Sequence, residues 1–242
     1  MRVFILYLML ICSMQYSWAE SQSDAEYDAA KKAFIARDYT TAFPVIHKRA
    51  SQGDAMGQYA TGQMYEQGWG IDVDYSEAIK WYTKAVKAGI PQAMNNLGLM
   101  YKKGKGVPVD LNKAVMLFKK AANLGTPEAY SNLGSIYRRQ SGLEGPKMAR
   151  KYFQKAANLG LTDAKYNLGA MYANGEGGSK NQLMAYVWLT LAYLEADNKG
   201  IVFETPKSVL SSIENSLSEE QLNQAKSLIN EGINGKEVTE NF

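Results

Sequence analysis

The chain has 242 residues, 46% of them apolar and 21% charged, and its net charge is +3; so even a balance excludes nucleic acid as an obligatory partner. Apolar content suffices for a core, and 21 glycines against 6 prolines point to many short turns rather than a Pro-rich disordered linker. One cysteine and one histidine exclude a disulfide framework and a histidine-based metal cluster, so no cofactor and no metal are expected.

Residues 1–19 read as a secretory signal peptide: Arg2, the apolar run from Val3 to Cys12, then Ser17 and Ala19 as the small residues before Glu20. The run is shorter than the roughly 20 residues that span a bilayer, and Cys12 follows Ile11, which speaks against a lipid anchor. Cleavage after Ala19 would leave a periplasmic or secreted chain without cysteine or transmembrane segment, held together by packing alone. Residues 20–54 form a degenerate helix pair in which Asp38-Tyr39 and Gly53 precede Asp74-Tyr75 and Gly89 by one repeat, without the glycine loop.

From residue 55 the chain is self-similar, which governs the reading of everything after it. Ala93-x-x-x-Leu97-Gly98-x-x-Tyr101 has counterparts centred on Gly62, Gly134 and Gly169, giving four repeats at about 55–90, 91–126, 127–161 and 162–196. Each continues through a Gly-x-Gly loop, such as Gly104 and Gly106, into a second apolar stripe such as Ala114, Leu117, Phe118 and Ala121. The third copy has Gln140 for the first loop glycine. Spacings of three and four predict two helices per repeat. Asp74 with Glu77 and Ser179 with Gln182 have capping-box spacing, and Thr126-Pro127 reads as an N-cap followed by proline. Gly53, Gly89, Gly125 and Gly160 close the second helices. Gly62, Gly98, Gly134 and Gly169 stand inside first helices, where glycine is unfavourable unless a neighbouring helix approaches closely. Tyr65, Trp81, Tyr101, Tyr137, Phe153 and Trp188 fall in phase with a core. Residues 197–242 hold an irregular loop over 197–204, two capping helices beginning at Thr205-Pro206 and at Ser218–Gln221, and a frayed tail from 233.

The predicted fold class is therefore all-α: a right-handed α/α superhelical solenoid of antiparallel helix pairs, with ~36-residue repeats whose stacking buries one continuous seam. Charge is uneven along it. Residues 98–155 carry twelve bases and only Asp110, Glu128 and Glu144 as acids, whereas both ends are acidic. Self-association of acidic ends with a basic middle is one possible use of that asymmetry.

The run from Ala93 to Val107, followed by Asp110, Lys113-Ala114, Phe118, Lys120-Ala121-Ala122 and Gly125, resembles the Sel-one-like repeat (SLR), a relative of the tetratricopeptide repeat. The resemblance implies an interaction scaffold, and nothing in the residues supports catalysis. It also implies that ligands lie along the concave face of the first helices, which here carries Gln63, Glu66, Gln67, Asn95, Lys102, Lys103, Ser131, Ser135, Arg138, Arg139, Tyr166 and Asn174. Lys102, Lys103, Arg138 and Arg139 form either a cluster for an acidic protein or peptide, a carboxylate or an anionic glycan, or a solvated basic rim. Asn96, Asn132 and Asn167 are either ligand-binding amides or structural ones, and Trp69 is either an exposed anchor or packed.

Some exported relatives bind β-lactams, but this chain lacks their cysteines and any Ser-x-x-Lys, and its lone His47 sits in the degenerate unit. The expected function is an exported scaffold or adaptor of the bacterial envelope. The alternatives are a secreted factor engaging host proteins and a cell-wall or β-lactam hydrolase.

Overall fold

The computed structural model describes residues 24–198 and 207–239, and these are helix, turn and loop with no strand among them. The signal-peptide segment and Thr205-Pro206 lie outside the described residues. Between Ala114 and Val115 the chain divides into two compact units.

The first unit holds α1 (residues 24–35), α2 (Tyr39–Ser51), α3 (Ala55–Gln67), α4 (Tyr75–Lys87), α5 (Pro91–Lys103) and the start of α6 (Leu111–Asn123). The starts of its second helices α4 and α6 repeat one device. The Asp74 carboxylate accepts from the backbone N–H of Glu77 at 3.0 Å, and the N–H of Asp74 itself donates to the carbonyl of Tyr65 at 3.0 Å. Asp110 does the same for Lys113 and Tyr101, at 2.9 and 3.0 Å. The reciprocal half of a capping box is therefore absent at Asp74, because its N–H is already taken and Glu77 pairs with Lys80 instead.

Two glycine positions fix the packing. A Cβ on Gly62 would stand 2.6 Å from Cδ1 of the buried Tyr82, so α3 lies against the ring of its own repeat's second helix. Gly70 has φ +72°, and a Cβ there would meet the carbonyl of Tyr39 at 2.3 Å; the loop of this repeat thus rests on the start of the second helix before it. Gly106 repeats this contact against Tyr75. Beneath the first of these loops Trp69 stacks on Tyr39, with centroids 4.8 Å apart, and meets Phe34 edge-on, so it is packed rather than an exposed anchor. His47 lies among Phe43, Tyr65 and Trp81.

The second unit holds the rest of α6, α7 (Pro127–Tyr137), α8 (Glu144–Asn158), α9 (Thr162–Asn174), α10 (Gln182–Asn198), α11 (Lys207–Glu214) and α12 (Glu219–Ile233). Gly134 and Gly169 receive Phe153 and Leu189 as Gly62 receives Tyr82. With Gln140 in place of a loop glycine, α7 has no left-handed cap and ends after 11 residues, two fewer than α5 or α9. The N-cap of α10 is Asn181, whose side chain accepts from Met184 N–H at 3.0 Å and whose own N–H donates to the Tyr172 carbonyl. The expected Ser179–Gln182 box is thereby corrected: the cap sits at the repeat position of Asp74 and Asp110, and serine lies two residues too early.

Apolar residues cover α10 on nearly every side, because α9 and α12 enclose it; Trp188, Met184 and Val187 are fully buried. Ser218 and Gln221 form both bonds of a capping box at the start of α12. The expected fraying from 233 does not hold for Val238. That side chain is buried, its carbonyl accepts from Gln154 Nε2 at 2.8 Å, and its N–H donates to Asn158 Oδ1 at 3.4 Å, which straps the segment after α12 across the end of α8. Trp81, Phe153 and Trp188 are core as expected, whereas Tyr65, Tyr101 and Tyr137 are half-buried, at the edge of the seam rather than inside it.

Candidate functional site

The twelve stripe residues divide by what already holds them. In the first unit Glu66 is the most engaged: its Oε2 accepts from the Tyr82 hydroxyl at 2.9 Å and its Oε1 pairs with Lys105 Nζ at 3.1 Å. Asn96 Nδ2 donates to the same Tyr82 oxygen at 3.3 Å, which gives that asparagine a structural duty. Burial raises the Tyr82 phenol well above its ordinary value, and the Glu66 carboxylate adds to this, so the hydroxyl stays a donor. Asn95 is buried at 7% exposure and its amide contacts Asn96 Oδ1 at 3.5 Å, so it offers little to a partner. Gln63 and Lys102 are half-exposed; Gln67 and Lys103 are exposed.

In the second unit Arg138 is a fork on Glu176. Its Nε and Nη2 reach the two carboxylate oxygens at 2.6 and 2.7 Å, and Nη1 reaches Asn167 Oδ1 at 3.3 Å. Asn174 adds Nδ2 to Glu176 at 3.2 Å. The hydrogen bond from Arg138 holds the Glu176 carboxyl below the usual glutamate range, outweighing burial, and Arg138 is raised by the same bond. Arg138 is thus not a free member of a basic cluster. Ser135 bonds back to the carbonyl of Ser131 at 3.0 Å, and Ser131 is half-buried. Arg139, Tyr166 and Asn174 are exposed.

Sequence reasoning missed Lys105 and Glu176. Both occupy the middle of a Gly-x-Gly loop and reach back to the residue four places after the preceding repeat's helix glycine. The signal was present as opposite charges 39 and 38 residues apart.

What remains accessible has a simple register. Gln67 and Lys103 in the first unit, and Arg139 and Asn174 in the second, each lie five residues after the helix glycine, and all four are exposed. In each unit these side chains offer hydrogen bonds and charge to a protein surface. Among the described residues no group of three histidine, cysteine or acidic side chains gathers where it could hold a metal ion, and no helix is long and apolar enough to cross a membrane.

Four consecutive segments, residues 55–90, 91–126, 127–161 and 162–197, match the model of the Sel1 repeat family. Over 78 residues the chain is 37% identical to chitin synthase regulatory factor 3 of Schizosaccharomyces pombe, covering 32% of this chain and 8% of that protein. Solved structures are similar as well, two of them as follows. One is c5321, a protective antigen present in uropathogenic Escherichia coli strains and displaying an SLR fold: 25% identity and a TM-score of 0.65 over 89% of this chain and 54% of the other. The second is a Sel1 repeat protein from Oxalobacter formigenes, with 26% identity and a TM-score of 0.62 over 72% of this chain and 68% of that one. The chain thus spans about half the length of the E. coli antigen and under a tenth of the yeast protein. Sel1 repeat proteins generally act as scaffolds for protein interaction, and with matches across more than half of its length this chain belongs to the Sel1 repeat family.

Proposed function

We propose that the chain is an exported scaffold of the bacterial cell envelope that holds a partner protein against its first helices. The observation that carries this reading is the exposed position five residues after each helix glycine, Gln67 and Lys103 in the first unit and Arg139 and Asn174 in the second; Asn174 also touches Glu176, whereas the adjacent Glu66 and Arg138 are tied into ion pairs. In a tetratricopeptide-like stack that register faces the hollow. Export rests on the leader-like composition of residues 1–19.

These positions are tested by substituting Gln67→Ala, Lys103→Glu, Arg139→Glu and Asn174→Ala together. Exposed positions of this kind change stability by only about 0.5 kcal/mol each, so folding is retained. Recovery of the co-purifying envelope protein by the tagged chain should fall at least about tenfold, on the scale of lost interface contacts. Equal recovery by the substituted and native chains would remove the reading. Arg138 is left out of this set because reversing it breaks an internal pair.

A second reading, a secreted factor that engages host proteins, is favoured by the likeness to the E. coli protective antigen. Fractionating producing cells separates the two: periplasmic recovery supports the envelope scaffold, recovery from the medium supports the secreted factor, and a cytoplasmic protein contradicts both.

A further inference from the structure

In the second unit, part of the basic charge collects around a pocket of about 170 Å³ where α6, α7 and α8 meet. Its lining includes the exposed Lys119, Lys151 and Lys155, the half-buried Tyr130 and Tyr152, and the buried Leu133. No carboxylate is among its lining residues. All three lysines are exposed, and none has an ion pair among the described residues, whereas Lys147 on the same helix pairs with Glu144. Lys151 and Lys155 stand four apart on α8, a like-charge spacing that a helix does not choose for its own stability.

The aromatic rings are held in place. Tyr130 and Tyr152 have centroids 6.4 Å apart with planes inclined by 30°, and Tyr137 stacks behind Tyr152 at 5.4 Å. The Lys155 ammonium lies 5.4 Å from the Tyr130 centroid. Burial raises the Tyr152 phenol more than nearby Lys119 lowers it, so its hydroxyl remains a donor.

We propose that this pocket docks an acidic segment of a partner protein, one apolar side chain packing beside the paired rings of Tyr130 and Tyr152 while flanking carboxylates meet Lys119, Lys151 and Lys155. The volume decides the first half: it lies below the roughly 300 Å³ at which small-molecule clefts begin and suits a single side chain. Charge complementarity decides the second, since three lysines without an ion pair among the described residues line a partly aromatic pocket that holds no acid. An extended polyanion or a lipid surface has no use for an apolar pocket of this size. The site rests on second helices and on Tyr130 and Leu133 of α7, not on the exposed ends of the first helices, so either can fail without the other.

The test is fluorescence anisotropy of the full chain with a fluorescein-labelled peptide Glu-Asp-Phe-Glu-Asp at low salt. Saturable binding is expected, weakened at least about tenfold by Lys151→Glu with Lys155→Glu and at least about threefold by Lys119→Gln, and unchanged by Arg139→Glu. The peptide with glycine in place of phenylalanine should bind at least about fivefold more weakly. Absence of binding, indifference to the lysine variants, indifference to phenylalanine, or equal loss with Arg139→Glu would each overturn the proposal. So would tighter binding of heparin or of phosphatidylserine vesicles than of the peptide, which would reassign the charge to a glycan or a membrane.

Discussion

Glu66 and Lys105 meet at 3.1 Å across one repeat boundary, and Arg138 and Glu176 meet at 2.6 Å across another, at the same two repeat positions with the charges exchanged. The loop residue between two glycines is thus a clasp on the preceding first helix, and its chemistry is free so long as the two ends match. Trp69 occupies the same loop position and makes its contact with Phe34 by aromatic packing.

Glu176→Gln should cost about 1 kcal/mol in urea denaturation, between the values of an exposed pair and of a charge-assisted fork, because both side chains retain 30% exposure. Glu176→Lys should cost more, and adding Arg138→Glu should restore most of the loss by reproducing the polarity of the Glu66–Lys105 pair. No recovery in the double variant would contradict the clasp.

The same pair makes stability acid-sensitive. Arg138 holds the Glu176 carboxyl below its ordinary value of 4.5, so the folded chain binds that proton less readily than the unfolded one. The contribution is complete above the unfolded value and is lost as pH falls through the depressed folded one. The stability difference between native chain and Glu176→Gln should shrink as pH falls below about 4.5, as followed by urea melts at stepped pH. A difference constant from pH 6 down to about 3 would show that the pair is not formed.

Gly62→Ala should destabilise by about 2 kcal/mol although alanine is the better helix former by about 1 kcal/mol. The added methyl meets the Tyr82 ring, and that ring cannot swing aside because Glu66 and Asn96 hold its hydroxyl. Gly134→Ala should be milder, since its nearest contact with Phe153 is 3.0 Å. Thermal melts of the two variants check the order.

Arg37 has φ +64° in the turn between α1 and α2, the left-handed conformation that glycine adopts at the ends of α3, α5 and α9. Arg37→Gly should therefore stabilise by about 0.5 kcal/mol, the relief of left-handed strain exceeding the added unfolded-state entropy. A lowered melting temperature would show that the Arg37 side chain contributes more than its backbone costs.

Val238→Ala should cost about 2 kcal/mol from lost burial and a residual cavity. Hydrogen exchange should rise at the end of α8, because the loss of side-chain packing loosens the segment whose backbone bonds Gln154 and Asn158. Unchanged exchange would mean that the strap carries no stability.

The helices and their register were legible because each repeat states them again: glycine at a fixed place inside a first helix and a large side chain twenty residues later announce the close contact that Gly62 makes with Tyr82. The cap of α10 was misread because Ser179 and Gln182 have the right local spacing, whereas the repeat register with Asp74 and Asp110 selects Asn181. Local patterns hide the clasps. Lys105 and Glu176 lie in loops, and their partners stand one repeat earlier, so only a comparison across the period pairs the charges. Val238 was hidden for a related reason: its partners, Gln154 and Asn158, are about 80 residues away, and nothing near it in the chain marks it as buried.

The central claim is that the exposed ends of the first helices receive a partner protein, and site-specific photocrosslinking in producing cells tests it most directly. A benzophenone amino acid at Gln67, Arg139 or Asn174 should yield one common adduct, while the same probe at Lys87, exposed on the second helix α4, should not. Adducts at Lys87 with none at the three first-helix positions would contradict the account.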